Sequence, residues 1–215
     1  MATKPRKTAA RKPHDVEERL IAAALDLAAA RGWRSLSLLE IAQAAGEPLA
    51  KIYPVASSKG EILDLFARRI DAAVLSEEEP EEEFAGTSPR DRLFDVMMRR
   101  FDALQPHKAA IGNIVYDQLR DPAAALGSLP QLARSMRWML EAAGIDGSGL
   151  AGAARVQGLI GIYLASLRVW LGDDSPDMTK TMAALDGYLR RIEALAGRLS
   201  RPAKRDAGAP AEPVE

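Results

Sequence analysis

Between Leu20 and Phe66 the chain twice places a serine three residues ahead of a glutamate, as Ser37 to Glu40 and Ser58 to Glu61, each at the head of an apolar run. A serine there accepts a hydrogen bond from the glutamate amide while the carboxylate reaches back, so donors that a helix start leaves unmet are satisfied together. Each box therefore fixes a helix start. The first opens a short helix, IAQAA, closed at Gly46, and the second a longer one carrying Ile62, Leu65, Phe66, Ile70 and Val74. Upstream, RLIAAALDLAAARGW sets Leu20, Ala24, Leu27 and Ala28 on one face and stops at Gly32, which takes a left-handed helix end without a Cβ penalty. Only PLAKIY remains between the boxes. It predicts a short middle helix with Pro48 in its first turn, ended at Tyr53 because the residue before Pro54 is pushed out of helical geometry.

Two short helices joined at a glycine and braced by longer ones form the helix-turn-helix unit, which lays its second helix in a DNA major groove. The order Gly32, Ser37, Ile41, Ala42, Ala45, Gly46, Ile52, Tyr53, Ser58, Lys59, Leu63 resembles the N-terminal domain of the TetR family of one-component bacterial regulators. The resemblance implies an all-α, TetR-like fold, with a three-helix helix-turn-helix head over residues 14–75 and a larger helical ligand-binding and dimerisation domain over 88–200. It also implies double-stranded operator DNA, a small-molecule ligand and a second copy of the chain as partners.

This chain departs from the family pattern where bases would be read. Glu47 and Pro48 replace the usual pair after the turn glycine, Lys51 stands where a threonine is common, and Pro54, Val55 and Ala56 replace an aromatic run. The expected DNA-contacting set is Ser37, Leu49, Ala50, Lys51, Tyr53 and Lys59. Lys51 is the only cation of the reading helix, and Leu49 and Ala50 offer at most contact with thymine methyls. Tyr53 and Lys59 suit phosphates better than base edges. So plain a helix leaves a second reading open, a head kept as scaffold without DNA binding.

Composition narrows the classes. The 215 residues include no cysteine, so thiol chemistry is absent, and His14 and His107 are the only imidazoles, which makes a histidine metal site or metal cofactor unexpected. The longest uncharged apolar run, VQGLIGIYLASL, stops after 12 residues at Arg168, short of a membrane span. The N-terminus lacks the apolar core of a secretory signal, so the expected location is the cytoplasm.

A net charge of -1 conceals a polarised layout. Lys4, Arg6, Lys7, Arg11 and Lys12 precede any acid, whereas EEEPEEEF at Glu77 to Phe84 holds six glutamates. Residues 1–13 read as a disordered basic arm, open to a role on DNA phosphates or in the minor groove, to a role in solubility alone, or to a targeting role that its lack of an amphipathic stripe speaks against. Residues 76–87 read as an acidic linker and 201–215 as a disordered tail.

The larger half reads as helices from Ser88 with Pro89 to Leu104, broken at QPH, then about Lys108 to Arg120, Gln131 to Ala143, Gly149 to Leu171 and Pro176 to Ser200, with DPAAALGSLP as a joint. It offers no nucleophile beside a base and no phosphate-cradling loop, so an enzyme is not expected. Its apolar bulk is adaptable instead. Met97, Phe101, Met136, Met139, Tyr163 and Trp170 are the expected lining of a pocket for a hydrophobic molecule or lipid, the other reading of the same side chains being ordinary core. Gly158, Gly161 and Ala165 form a small-residue stripe. With Leu185, Leu189, Ile192, Leu195 and Leu199 it fits either packing within the chain or a four-helix interface between two copies, and the TetR resemblance favours the homodimer.

A second resemblance falls in VWLGDDSPDMTKTMAALDGYL, where Trp170, Leu171, Asp173, Ser175, Thr181, Leu185, Asp186 and Leu189 are similar to the C-terminal signature of the coenzyme Q biosynthesis lipid-binding family. It implies an alternative role as a lipid-binding accessory protein of ubiquinone synthesis. Physically, Ser175 would cap the last helix with Pro176 at its first position, and Asp186 would meet a partner across the helix pair.

If the arm lies along DNA, removing residues 1–13 is expected to lower DNA affinity and flatten its salt dependence, since up to five cationic contacts per subunit disappear. Binding measured across a salt series gives the slope directly, and an unchanged slope assigns the arm to solubility.

Overall fold

Residues 13–76 and 86–199 are described by a computed structural model, and among them every regular element is a helix. The basic arm before Pro13, the glutamate run and the tail lie outside the described residues, as do the side chains of Leu195 and Leu199.

The head is built from α1 (Pro13–Arg31), α2 (Leu38–Ala44) and α3 (Leu49–Ile52), with α4 (Lys59–Ser76) running on into the body. Val16, Leu20, Ile21, Ala24, Leu25 and Ala28 recur at helical spacing along α1 and are buried, and Leu27 is only half-buried. They meet Ile41 and Ala42 of α2, Ile52 of α3 and Ile62, Leu65 and Phe66 of α4, so one small core holds the head. Both boxes form. The Ser37 hydroxyl accepts from the Glu40 amide while Glu40 takes back the Ser37 amide at 2.8 Å. In the second, Ser58 accepts from the Glu61 amide, but the Glu61 carboxylate bonds the amide and hydroxyl of Ser57, one residue upstream. Gly46 closes α2 at φ +69 with nothing near a Cβ position, so its glycine answers to backbone conformation rather than space.

The body consists of α5 (Pro89–Leu104), a 3₁₀ turn (Gln105–His107), α6 (Lys108–Gln118), α7 (Pro122–Ala142), α8 (Gly149–Leu171) and α9 (Thr179–Leu199). Ser88 caps α5 with Pro89 in its first turn, as the sequence predicts. The expected joint DPAAALGSLP is instead the first half of α7. Asp121 caps the Ala124 amide, Pro122 occupies the first turn, and the helix carries Pro130 within it. A strong start with alanine and leucine behind it outweighs one missing amide, whose orphaned carbonyl, at Leu126, sits on an exposed turn. The last helix also starts later than expected. Ser175 to Met178 form a turn in which Met178 takes φ 51, and the buried Asp173 accepts from the amide and hydroxyl of Thr181 at 2.8 Å, capping α9 from eight residues upstream. Hydrogen bonds from Ser175 and Thr181 hold the Asp173 carboxyl far below the ordinary carboxylate range.

Between Gly32 and the body, the amide of Arg34 donates to Asp117 at 2.8 Å, and the Asn113 side chain donates to the carbonyls of Ala28 and Ala29 at the end of α1. Both anchors belong to α6. The long α8 has the length and composition of a membrane span, at a mean hydropathy of 1.4, but a single such helix does not show one. Its apolarity serves the core: Val156, Leu159, Tyr163, Leu167 and Trp170 are buried where α8 packs on α7 and α9. Gly152 permits a close approach, because a Cβ there would overlap the backbone of Gly147.

One polar contact crosses the centre of the molecule. Arg100 of α5 and Asp71 of α4, both nearly inaccessible, form an ion pair, and the Ser135 hydroxyl of α7 donates to the second carboxylate oxygen at 2.6 Å. Arg100→Met should cost about 3–5 kcal/mol in urea unfolding, since it leaves a buried carboxylate without its cation. Replacing all three polar partners together (Arg100→Met, Asp71→Leu, Ser135→Ala) should recover most of that loss.

Candidate nucleic-acid interface and ligand cavity

The turn at Gly46 presents α3 with Ile52 inward and fully buried, and Leu49, Ala50, Lys51 and Tyr53 outward. Four of the six expected DNA residues thus share one exposed surface, Tyr53 being 76% accessible. The helix is as short as the sequence predicts, with two adjustments. Pro48 is its N-cap, in extended geometry, rather than its first helical residue. Tyr53 keeps helical dihedrals in spite of Pro54, and its amide still bonds the Leu49 carbonyl at 2.9 Å. What Pro54 removes is the following amide, and the chain tightens into a turn in which Val55 and Ala56 both donate to Ile52.

The other two candidates are engaged within the protein. Ser37 lies at the start of α2 with its hydroxyl inside the capping box. Lys59 stands away from the outer face of α3: its ammonium donates to the Trp33 carbonyl at 3.0 Å and sits over the Trp33 ring. Burial lowers its pKa. From the start of α4 it braces the loop that follows α1.

Glu47 carries more of the geometry than its sequence position announces. Its carboxylate is almost wholly buried, pairs with Arg19 of α1 and receives Lys51 of α3 at 3.2 Å. One acid thereby straps the reading helix to the first helix and neutralises the only cation of α3. Nothing in the sequence marks it, because Arg19 lies 28 residues away. On α2, hydrogen bonds from Arg31 and then from the Ser37 amide and hydroxyl lower the Glu40 carboxyl from 4.5 to about 2, so the box stays charged well into acid.

Between α4, α5, α6, α7 and α8 lies a cavity of about 330 Å³, at the small end of the range of about 300–1,000 Å³ that ligand sites span. Its walls include Phe66, Ile70, Ile111, Ile114, Leu132 and Leu167. Of the expected lining residues Tyr163 alone borders it. Met97, Phe101, Met136, Met139 and Trp170 are fully inaccessible and pack in the core, with Phe101 against the Tyr163 and Trp170 rings at centroid distances of 5.8 Å. Large thioether and aromatic side chains close a core most completely, so the cavity forms where branched aliphatics and polar groups meet instead. Trp170 also donates to Gln105 at 2.8 Å, which ties α8 to the 3₁₀ turn. A second, more polar hollow of about 500 Å³ lies where the head meets the body, bordered by Trp33, Lys59, Asp117 and Asp121.

No family model matches this sequence, and no curated protein does. Solved structures do. The TetR transcriptional regulator from Nitrosomonas europaea ATCC 19718 superposes with a TM-score of 0.65 at 22% identity, over 83% of this chain and 98% of that one. A TetR transcriptional regulator from Rhodococcus sp. RHA1 gives 0.58 at 21% identity, over 89% of this chain and 100% of that one. The fold is therefore TetR-like and all-α. No such support attaches to the coenzyme Q signature, whose residues have local work: Asp173 caps α9 and Asp186 pairs with Arg90 of α5.

Glu47→Ala is expected to destabilise the head by about 1–3 kcal/mol, because it deletes bonds to charged groups from a buried acceptor. Lys51→Ala should cost less than about 1 kcal/mol, its ammonium being exposed. Urea unfolding of the two variants measures the contrast.

Proposed function

We propose that this protein is a DNA-binding transcriptional regulator, working as a homodimer whose affinity for its operator is set by a hydrophobic small molecule. The observation that carries the reading is the outward face of α3, with Leu49, Ala50, Lys51 and Tyr53 exposed on a helix flanked on each side by a serine-capped helix start. In this reading Lys51 exchanges Glu47 for a base edge, Leu49 and Ala50 meet thymine methyls, and Tyr53 takes a phosphate. The likeness of fold to TetR regulators supports it.

The dimer reading is supported by an apolar face that the chain leaves uncovered. Leu164 of α8 and Ile192 of α9 are nearly half exposed, and Gly158, Gly161 and Gly187 have nothing against their Cβ positions. Helices can approach closely along such a stripe. Two-fold pairing through it gives two heads and hence a palindromic operator.

Control follows from α6. Ile111, Ile114 and Val115 border the cavity while Asn113 and Asp117 hold the end of α1 and the loop beyond it. A ligand that favours one position of α6 favours one setting of the heads, and its differential affinity for the two settings is the whole of its effect.

Selection from random duplexes at moderate salt should enrich a near-palindrome. Lys51→Ala should then lose about 1–3 kcal/mol of discrimination at the base it contacts. Leu164→Glu should shift the protein to monomer in sedimentation and weaken operator binding with it. If no sequence is enriched, the regulator reading fails and the head is a scaffold.

A further inference from the structure

One carboxylate in the head serves two cations. Oε1 of Glu47 pairs with the guanidinium of Arg19, on α1, and Oε2 with the ammonium of Lys51, on α3, at 3.2 Å. The Glu47 side chain is 1% exposed, against 31% for Arg19 and 54% for Lys51, so the acid is covered while both cations reach solvent. Held on the two oxygens of a single group, the cations are close neighbours of like charge and repel each other. Each therefore loosens the other's hold on Glu47.

The two cations are not equivalent. Arg19 springs from within the 19-residue α1, and its Nε is inaccessible. Its planar guanidinium is always charged and is suited to a fixed ion pair. Lys51 belongs to the four-residue α3 and carries a compact charge on a flexible stem, more open to solvent. A buried carboxylate that loses its cation is strongly unfavourable. While Arg19 stays in place, Lys51 can depart without leaving the acid bare. Whatever else Glu47 touches, Arg19 makes that departure easier.

We infer that Arg19 is a positioning residue for base reading: by remaining on Glu47 it sets Lys51 free to move to a base edge of double-stranded DNA. This rests on the regulator reading above and adds to it a residue outside the helix-turn-helix pair. Discrimination at the base that Lys51 meets then depends on a side chain that does not touch that base. A plain phosphate contact by Arg19 would behave otherwise, since its loss weakens all sequences alike.

The test uses the full chain and two duplexes: the one wild type enriches, and the same duplex changed at the base pair whose preference Lys51→Ala removes. The ratio of the two affinities is the readout. Arg19→Gln should shrink it by at least about fivefold, toward the value for Lys51→Ala. Arg19→Lys should keep it, and adding Glu47→Gln to Arg19→Gln should restore it, because the neutral amide no longer holds Lys51. A ratio unchanged by Arg19→Gln, or one that Glu47→Gln does not restore, overturns the inference. Nitrogen-15 relaxation of the Lys51 ammonium gives a second readout without DNA. The group should become more rigid in Arg19→Gln and freer in Glu47→Gln, and unchanged motion in both overturns the inference even where DNA binds. If wild type enriches no duplex, the regulator reading fails and the role of Arg19 in recognition falls with it. Enrichment with an unchanged ratio sinks the role of Arg19 alone.

Discussion

The ion pair of Asp71 with Arg100, closed by the Ser135 hydroxyl, is the constraint on which the rest of the molecule depends. It joins three helices at a point where charge is affordable only in complete form, since either ion alone would be far from water. Apolar contacts tolerate sliding, whereas this network has one geometry. It therefore fixes the register of α4 against α5 and α7. Because α4 begins in the head and ends in the body, the network also sets where the head stands.

A second tie runs through α6, and the two differ in kind. The Asn113 and Asp117 bonds reach backbone groups at the end of α1 and in the loop beyond it, and are partly open to solvent. They can be remade after a small shift. The molecule thus combines one rigid attachment of the head with one adjustable attachment, and the cavity lies between them, sharing Arg100 with the first and α6 with the second.

Sequence reading reached the features encoded locally. Ser37, Glu40 and Ser58 announce helix starts within four residues, Gly46 announces a stop, and the apolar period of α4 names its buried face. It failed where distant residues decide. Asp121 and Pro122 outweigh Pro130, a balance between cap and breaker that composition alone does not settle. Met136, Met139 and Phe101 are apolar whether they line a cavity or fill a core, and only the packing of five helices distinguishes the two. The bond from Lys59 to the Trp33 carbonyl joins residues 26 apart and has no local signature.

The strap at Glu47 bears on how the head would respond to ions. The counterions that DNA binding releases are those condensed on the phosphates, and each phosphate that a lysine or arginine neutralises steepens the dependence of affinity on salt. Lys51, held at rest by the Glu47 carboxylate, would move to a base edge rather than to a phosphate. That transfer sets few ions free. Recognition through α3 would thus be nearly indifferent to ionic strength, and whatever salt sensitivity the whole protein displays would be a property of the chain outside that helix.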